Sequence, residues 1–284
     1  MNENGIIYAN PDPLDEGPRG IHRLRRRRKA PVLFAVIAAL VLVLAVVLVM
    51  FFAGWRYKKV VFDDGSWVKF FGVIRSGEPV SGRFTFSNGL TGSLSRSTGK
   101  LTYSNGDVYY GPLKNFRKNG VGSLSFSSGN VYSGGFADDV MEGQATLAYA
   151  NGDKYEGGFS NGQKSGTGTY TWQNGSVYTG TFREGKKDGH GKLVFADGAS
   201  YEGDYVLDRK EGQGVFLYAN GDRYEGSFKN DMRDGHGVYT WQNGETYTGD
   251  FRENALTGHG TYTWPTGRVY TGEFLNGAIV RSGS

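Results

Sequence analysis

Three of the four histidines, His190, His236 and His259, each stand between two glycines at the same point of a recurring pattern. Regularly spaced imidazoles are the raw material of a metal site or a pH sensor. Zinc holds nitrogen at about 2.0–2.1 Å, so its ligands must converge within a few ångströms. Equivalent positions on adjacent β-hairpins are about 10 Å apart, two strand spacings of about 4.8 Å. That geometry excludes a shared ion, and these residues read as solvent-facing strand or turn positions. Paired glycines such as Gly166 and Gly168 resemble part of a phosphate loop. Such a loop needs a helix N-terminus behind it, and here a strand pattern follows. Carboxylates such as Asp153, Glu156 and Glu225 stand singly, as solvated residues do, and no Ser-His-Asp grouping stands out. Asn174-Gly175-Ser176 fits a glycosylation sequon but occupies a turn. With no Cys, thiol nucleophiles, thiolate metal sites and disulfides are excluded. The sequence implies no cofactor, no metal and no enzyme.

The elements that would position these residues form a lattice. Tyr109, Tyr132, Tyr155, Tyr178, Tyr201, Tyr224, Tyr247 and Tyr270 are 23 residues apart. A glycine follows each at the second residue, from Gly111 to Gly272, and at the fourth stands Phe, Tyr or, once, Leu113. Later in the unit come a Gly-x-Gly or Gly-x-Ala pair, an aromatic residue such as Trp172 or Trp241, and a turn such as Asn151-Gly152 or Asn174-Gly175. The special positions alternate with period two, the signature of strands. Asn-Gly supplies the positive φ of a tight hairpin turn. The spacing therefore predicts eight β-hairpins, adding to a twisted ribbon on the order of 75 Å long. A glycine weakens a strand unless something approaches closely. The repeated Tyr-x-Gly predicts rings lying flat over bare backbone and merging into one aromatic face.

The unit reads Y-x-G-x-F, then G-x-G, then an aromatic residue and N-G, most clearly in residues 154–175 and 223–244. It resembles the MORN (membrane occupation and recognition nexus) repeat, well over residues 107–276 and weakly over 65–106. The resemblance implies an all-β fold: an elongated single-layer antiparallel sheet with a groove, used for protein interaction or dimerisation, often at membranes. Lipid binding has also been proposed for the family.

Upstream, residues 30–55 contain no charged residue. As a helix this run spans about 39 Å, against a hydrocarbon core of about 30 Å. It is longer than a signal-peptide core, and Phe51 and Phe52 stand where a cleavage site needs small residues. It reads as an uncleaved transmembrane anchor. Six Lys or Arg precede it (Arg23, Arg25, Arg26, Arg27, Arg28, Lys29) and three follow (Arg56, Lys58, Lys59). That bias places the N-terminus in the cytoplasm and the repeats outside a plasma membrane, with Trp55 and Tyr57 at the interface. The organisation expected is a disordered basic tail (1–29), the anchor (30–55), a linker (56–64), degenerate repeats (65–106) and the array (107–284).

The charge excludes nucleic acid as a partner. Residues 1–29 carry seven basic and four acidic residues, but residues 56–284 carry 25 and 24. A phosphate-binding domain needs a basic stripe. The aromatic face is the candidate binding surface: Trp172, Trp241 and Trp264 as hot spots, with Tyr155, Tyr178, Tyr224 and Tyr247 beside them. The expected partner is a protein, self-association included, through an edge strand at Tyr270–Phe274. Lipid headgroups or cell-wall glycans are the alternative ligands.

Overall fold

The structure is a computed structural model that describes residues 30–280. The chain divides into two units between Met50 and Phe51. The first is a helix, Ala30–Phe52. Its run of Val, Leu, Ile and Ala gives no polar face, and from Val32 onward it is long and apolar enough to cross a membrane. It ends at Gly54, whose positive φ of 89° suits a C-terminal stop.

The second unit is one antiparallel sheet of 21 strands beginning at Trp55–Val61 and ending at Ala278–Ile279. Each strand pairs with its neighbours in sequence, so the connections are hairpins, except that Val108–Tyr110 pairs with Gly120–Ser125 across an inserted segment. A two-strand excursion, Leu113–Lys114 with Arg117–Lys118, stands apart from the ladder. The expected interruption at 56–64 is not a linker. Trp55–Val61 is a strand paired with Trp67–Arg75, Trp55 packs on Phe71 at 5.2 Å, and Val60 joins the core. Alternating Val60 and Phe62 carry the signal, masked by Lys58-Lys59. The predicted tail at 1–29 lies outside the described residues.

Each repeat contains two different turns, and they correct the turn expectation. Strands Lys154–Ser160 and Gln163–Thr171 are joined by Asn161-Gly162 alone, with φ of 50° and 78°. Both central residues are left-handed, as a type I′ hairpin requires. Asp138-Asp139, Glu184-Gly185, Leu207-Asp208, Asn230-Asp231 and Glu253-Asn254 do the same. The predicted Asn151-Gly152 turn belongs instead to a five-residue loop, Tyr149–Asp153. There Gly152 N–H donates to Tyr149 C=O at 3.0 Å, and only the glycine has positive φ. Asn151 instead accepts from Asp153 N–H at 3.0 Å, holding the loop with its side chain.

Both edges are stitched from repeat to repeat. At the tight turns, Asp208 and Asp231 carboxylates accept the backbone N–H of Lys187 and Lys210, 21 residues earlier, at 2.8 and 3.0 Å. Glu142 and Glu211 accept the turn N–H of Asn161 and Asn230 at 3.0 Å. At the five-residue loops, Asp153 and Asp222 accept from Gln173 N–H and Gln242 N–H at 2.8 and 2.9 Å. Each of these bonds ties one repeat's turn or loop to that of the next and so fixes their spacing.

A single contiguous core covers one face of this sheet. Fifteen rings from Tyr109 to Tyr270 follow one another edge to face, at centroid separations of 4.9–5.5 Å. Edge-to-face contact suits the aromatic quadrupole and adds about 0.5–1.5 kcal/mol per pair beyond burial.

Candidate functional site

The repeat tyrosines lie on glycine, as their spacing predicts. Gly157, Gly168, Gly180, Gly191 and Gly203 face one another across five adjacent strands, and the row continues to Gly272. A methyl on Gly168 would lie 2.5 Å from the Tyr155 hydroxyl and 2.6 Å from its Cε2. The ring thus occupies the space a side chain would fill. Its hydroxyl donates to Gly158 C=O at 3.0 Å, and Tyr178 and Tyr224 repeat that bond to Thr181 and Ser227. Burial pushes the Tyr155 and Tyr178 phenols up to about 12.

This packing corrects part of the predicted binding surface. Tyr155, Tyr178, Tyr224 and Tyr247 have 0% exposure. They form the inner row of the face and have no area to offer a partner. Trp172, Trp241 and Trp264 are half-buried. They belong to a second, outer row beside the five-residue loops. Phe195, Phe216, Tyr218, Tyr239, Trp241, Tyr262 and Trp264 follow one another at 4.4–5.9 Å with tilted planes, and Tyr149, Tyr170 and Trp172 form a separate run. The two runs are separated where Leu193 takes the position of Tyr170 and Phe216. Asp153 and Asp222 anchor this row. They accept from the Tyr170 and Tyr239 hydroxyls at 2.7 Å. The Tyr170 bond, joined by the loop N–H of Gln173, holds the Asp153 carboxyl below the usual carboxylate range. Burial together with that carboxylate raises Tyr170 far above an ordinary phenol.

Sequence reasoning missed a column of cations between the two rows. Lys164, Lys187, Lys210 and Arg233 recur every 23 residues on the strand after the tight turn. Each head group lies over an inner and an outer ring: Lys164 is 5.6 Å from Tyr155 and 4.7 Å from Tyr170, and Arg233 is 5.7 Å from Tyr224 and 4.9 Å from Tyr239. Cations over ring faces are attracted by about 0.5–2 kcal/mol. Desolvation lowers the Lys164 and Lys187 ammonium pKa values. The 23-residue recurrence of a basic residue was the available signal.

The opposite face carries the histidines. His190, His236 and His259 are exposed, and the Nδ1 of each is 3.1–3.2 Å from a carboxylate on the next strand: Asp204, Asp250 and Glu273. Each imidazole thus has its own acidic neighbour, and none shares one with another histidine. Among the described residues no group of three His, Cys, Asp or Glu could hold a metal ion. A concavity of about 880 Å³ is also on this face, with a floor of glycine backbone and walls including Thr146, Glu156, Thr169 and Thr179. It is wide open, and no Phe, Tyr or Trp lines it. The Tyr270 strand is partly covered: Phe274 and Leu275 pair with Ile279 and Ala278.

Comparison with known proteins agrees with the lattice. The MORN repeat model matches residues 132–154, 155–177, 178–200, 201–223, 224–246 and 247–267, six consecutive copies in the register of the repeat tyrosines. No curated protein matches the chain. Among solved structures, the SAS-4 (dCPAP) TCP domain of Drosophila melanogaster, in complex with a proline-rich motif of Ana2, is 15% identical. The match covers 54% of this chain and 84% of that one, with a TM-score of 0.34. The TCP10 domain of Danio rerio CPAP, in complex with a STIL peptide, is 16% identical, with 77% and 100% covered and a TM-score of 0.24.

Proposed function

We propose, from the premise that residues 132–267 are six consecutive MORN repeats, that the chain is a membrane-anchored, non-enzymatic scaffold that binds a protein partner on the outer aromatic row. The observation that carries this reading is the division of the aromatic face. The inner tyrosines are spent on folding, whereas Trp172, Trp241 and Trp264 stay half-exposed on a rigid frame. Rigid aromatic anchors lose little conformational entropy on binding, and Trp is enriched in hot spots. The apolar helix supplies the anchor, and the six-to-three excess of Lys and Arg before it orients the repeats to the outside of the plasma membrane.

Photo-crosslinking tests the face. A benzoylphenylalanine at position 241 should capture a protein, or a second copy of the chain, in intact membranes. The same group at position 248, on the opposite face, should not. Equal capture from both positions would remove the case for the aromatic face. Protease added to intact cells should digest the repeats; protection until lysis would reverse the orientation.

A further inference from the structure

The cation column lies in the furrow between the aromatic rows. Two strand spacings separate successive members, about 10 Å along the sheet. Every member touches both rows: Lys187 lies over Trp172 and Tyr205, and Lys210 over Tyr201 and Phe216. The furrow is therefore cationic at its centre and aromatic along its sides.

Much of that donor capacity is unmatched within the protein. Among the described residues, neither the Lys164 nor the Lys187 ammonium has a carboxylate within 4.0 Å. The nearby turn acids are engaged elsewhere, Asp208 and Asp231 accepting the backbone N–H of Lys187 and Lys210. Only the Lys210 ammonium approaches one of them, Asp231 at 3.6 Å. The Nε of Arg233 is buried with no partner. Tyr205 takes the place of the Phe found in the other matched repeats, is 2% exposed, and buries a hydroxyl without a partner beside Lys187. The Lys164 and Lys187 side chains are half-buried and have no carboxylate of their own, a charge that an acidic group from outside the chain would complement.

We propose that the furrow binds an acidic peptide segment in the polyproline II conformation laid across the strands, with a carboxylate at every third residue reaching one cation of the column. That conformation has three residues per turn, so every third side chain faces the same way at a spacing of about 9 Å, close to the pitch of the repeats. The intervening residues would be apolar, because each cation is flanked by rings that a bound chain must cover. A phosphate polymer without apolar groups would satisfy the charges and leave the outer row bare, so the rings favour the peptide. This inference rests on the reading of the aromatic face as the contact surface and adds the chemistry of its partner.

The test uses the full chain in lipid nanodiscs and fluorescence anisotropy. The probes are an 18-residue peptide with Glu at every third position between Phe and Ser, its Gln counterpart, and a polyglycerol phosphate of matched charge. The Glu peptide should bind at least tenfold more tightly than the Gln peptide, with the gap narrowing in high salt. Lys164→Met with Lys187→Met removes two of the four cations and should narrow that gap while keeping the apolar stems on the rings. The same pair changed to Gln must give the same narrowing, which separates charge from folding. Lys192→Met, on the opposite face, should change affinity less than twofold. Equal binding of the Glu and Gln peptides overturns the inference. If Trp172→Ala with Trp241→Ala then weakens both peptides, the aromatic-face reading survives without it. Absence of binding by the Glu peptide, or equally tight binding of the polyglycerol phosphate, also overturns it, and the crosslinking result then judges the aromatic face separately.

Discussion

A single methyl group at Gly168 tests the packing that defines the fold. The new Cβ would lie 2.5–2.7 Å from the Oη, Cε2 and Cζ atoms of Tyr155. Favourable carbon contacts begin near 3.5 Å, so the ring must retreat by about 1 Å. It has little room, because Phe159 and Phe182 hold it edge to face at 5.4 and 5.0 Å. Retreat also strains its hydroxyl bond to Gly158. Overpacking of this kind costs about 1–3 kcal/mol, and the gain from a stiffer unfolded chain, about 0.4–1 kcal/mol, offsets part of it. Ala145, which faces both Gly134 and Gly157 in the same row, shows that one unit has adjusted to such a methyl and sets the low end. Because both flanking rings hold Tyr155, the cost for Gly168→Ala falls in the upper part of that range, about 2–3 kcal/mol, and the expected net loss is about 1–2.5 kcal/mol. Repeat arrays do not unfold in one step, so the loss should be read locally by hydrogen exchange. Amides of Lys154–Ser160 and Gln163–Thr171 should exchange roughly 5- to 70-fold faster, at 1.4 kcal/mol per tenfold, and those two repeats away should be nearly unchanged. Exchange within twofold of the unaltered chain in those strands would refute the ring-on-glycine account.

Other substitutions probe the turns and the edges. Leu207 is half-exposed with a φ of 51°, at the position that Asn161 and Asn230 occupy in other repeats. Leu207→Asn should therefore raise local stability by about 0.5–1 kcal/mol, seen as slower exchange at the turn; faster exchange would contradict the strain argument. Tyr205→Phe removes a buried hydroxyl without a partner and should stabilise the free chain by about 1 kcal/mol, measured by urea titration. The Asp153 carboxyl is held low by the Tyr170 hydroxyl, so its contribution is complete above the unfolded carboxylate pKa near 3.9 and fades as pH falls through the folded value. Melting temperature between pH 6 and 3 should show that fall, and Asp153→Asn should flatten it. An unchanged profile would remove the carboxylate from the loop stitch.

The sequence displays the register of this fold because its tightest constraint is periodic. A tyrosine ring lies on bare backbone at Gly157 and Gly168, and a side chain larger than the methyl of Ala145 has no room in that row, so the Tyr-x-Gly pattern recurs without drift. The tight turns are hidden for the opposite reason. Their conformation is enforced by two-residue closure and by carboxylates from adjacent repeats, and such different pairs as Leu207-Asp208 and Glu253-Asn254 satisfy it. Asn-Gly closes a tight turn at Asn161-Gly162, but the pairs at Asn151-Gly152 and Asn174-Gly175 serve the longer loops. At the site, composition finds the aromatic residues but not their depth. Tyr155 and Trp172 are both repeat aromatics, yet one covers glycine and the other stands beside a loop. The cations are legible only once the pairing is known, because Lys164 lies opposite Phe159 across the tight turn and shares the parity of Gly168 and Tyr170, which puts it on the ring face.

The most direct test of the central claim is hydroxyl-radical footprinting of the tryptophans in native membranes and in the purified chain. The outer row as contact surface predicts that Trp172, Trp241 and Trp264 oxidise several-fold more slowly in native membranes, with exposed His190 and His236 on the opposite face unchanged. Equal oxidation of the three tryptophans in both preparations would contradict it.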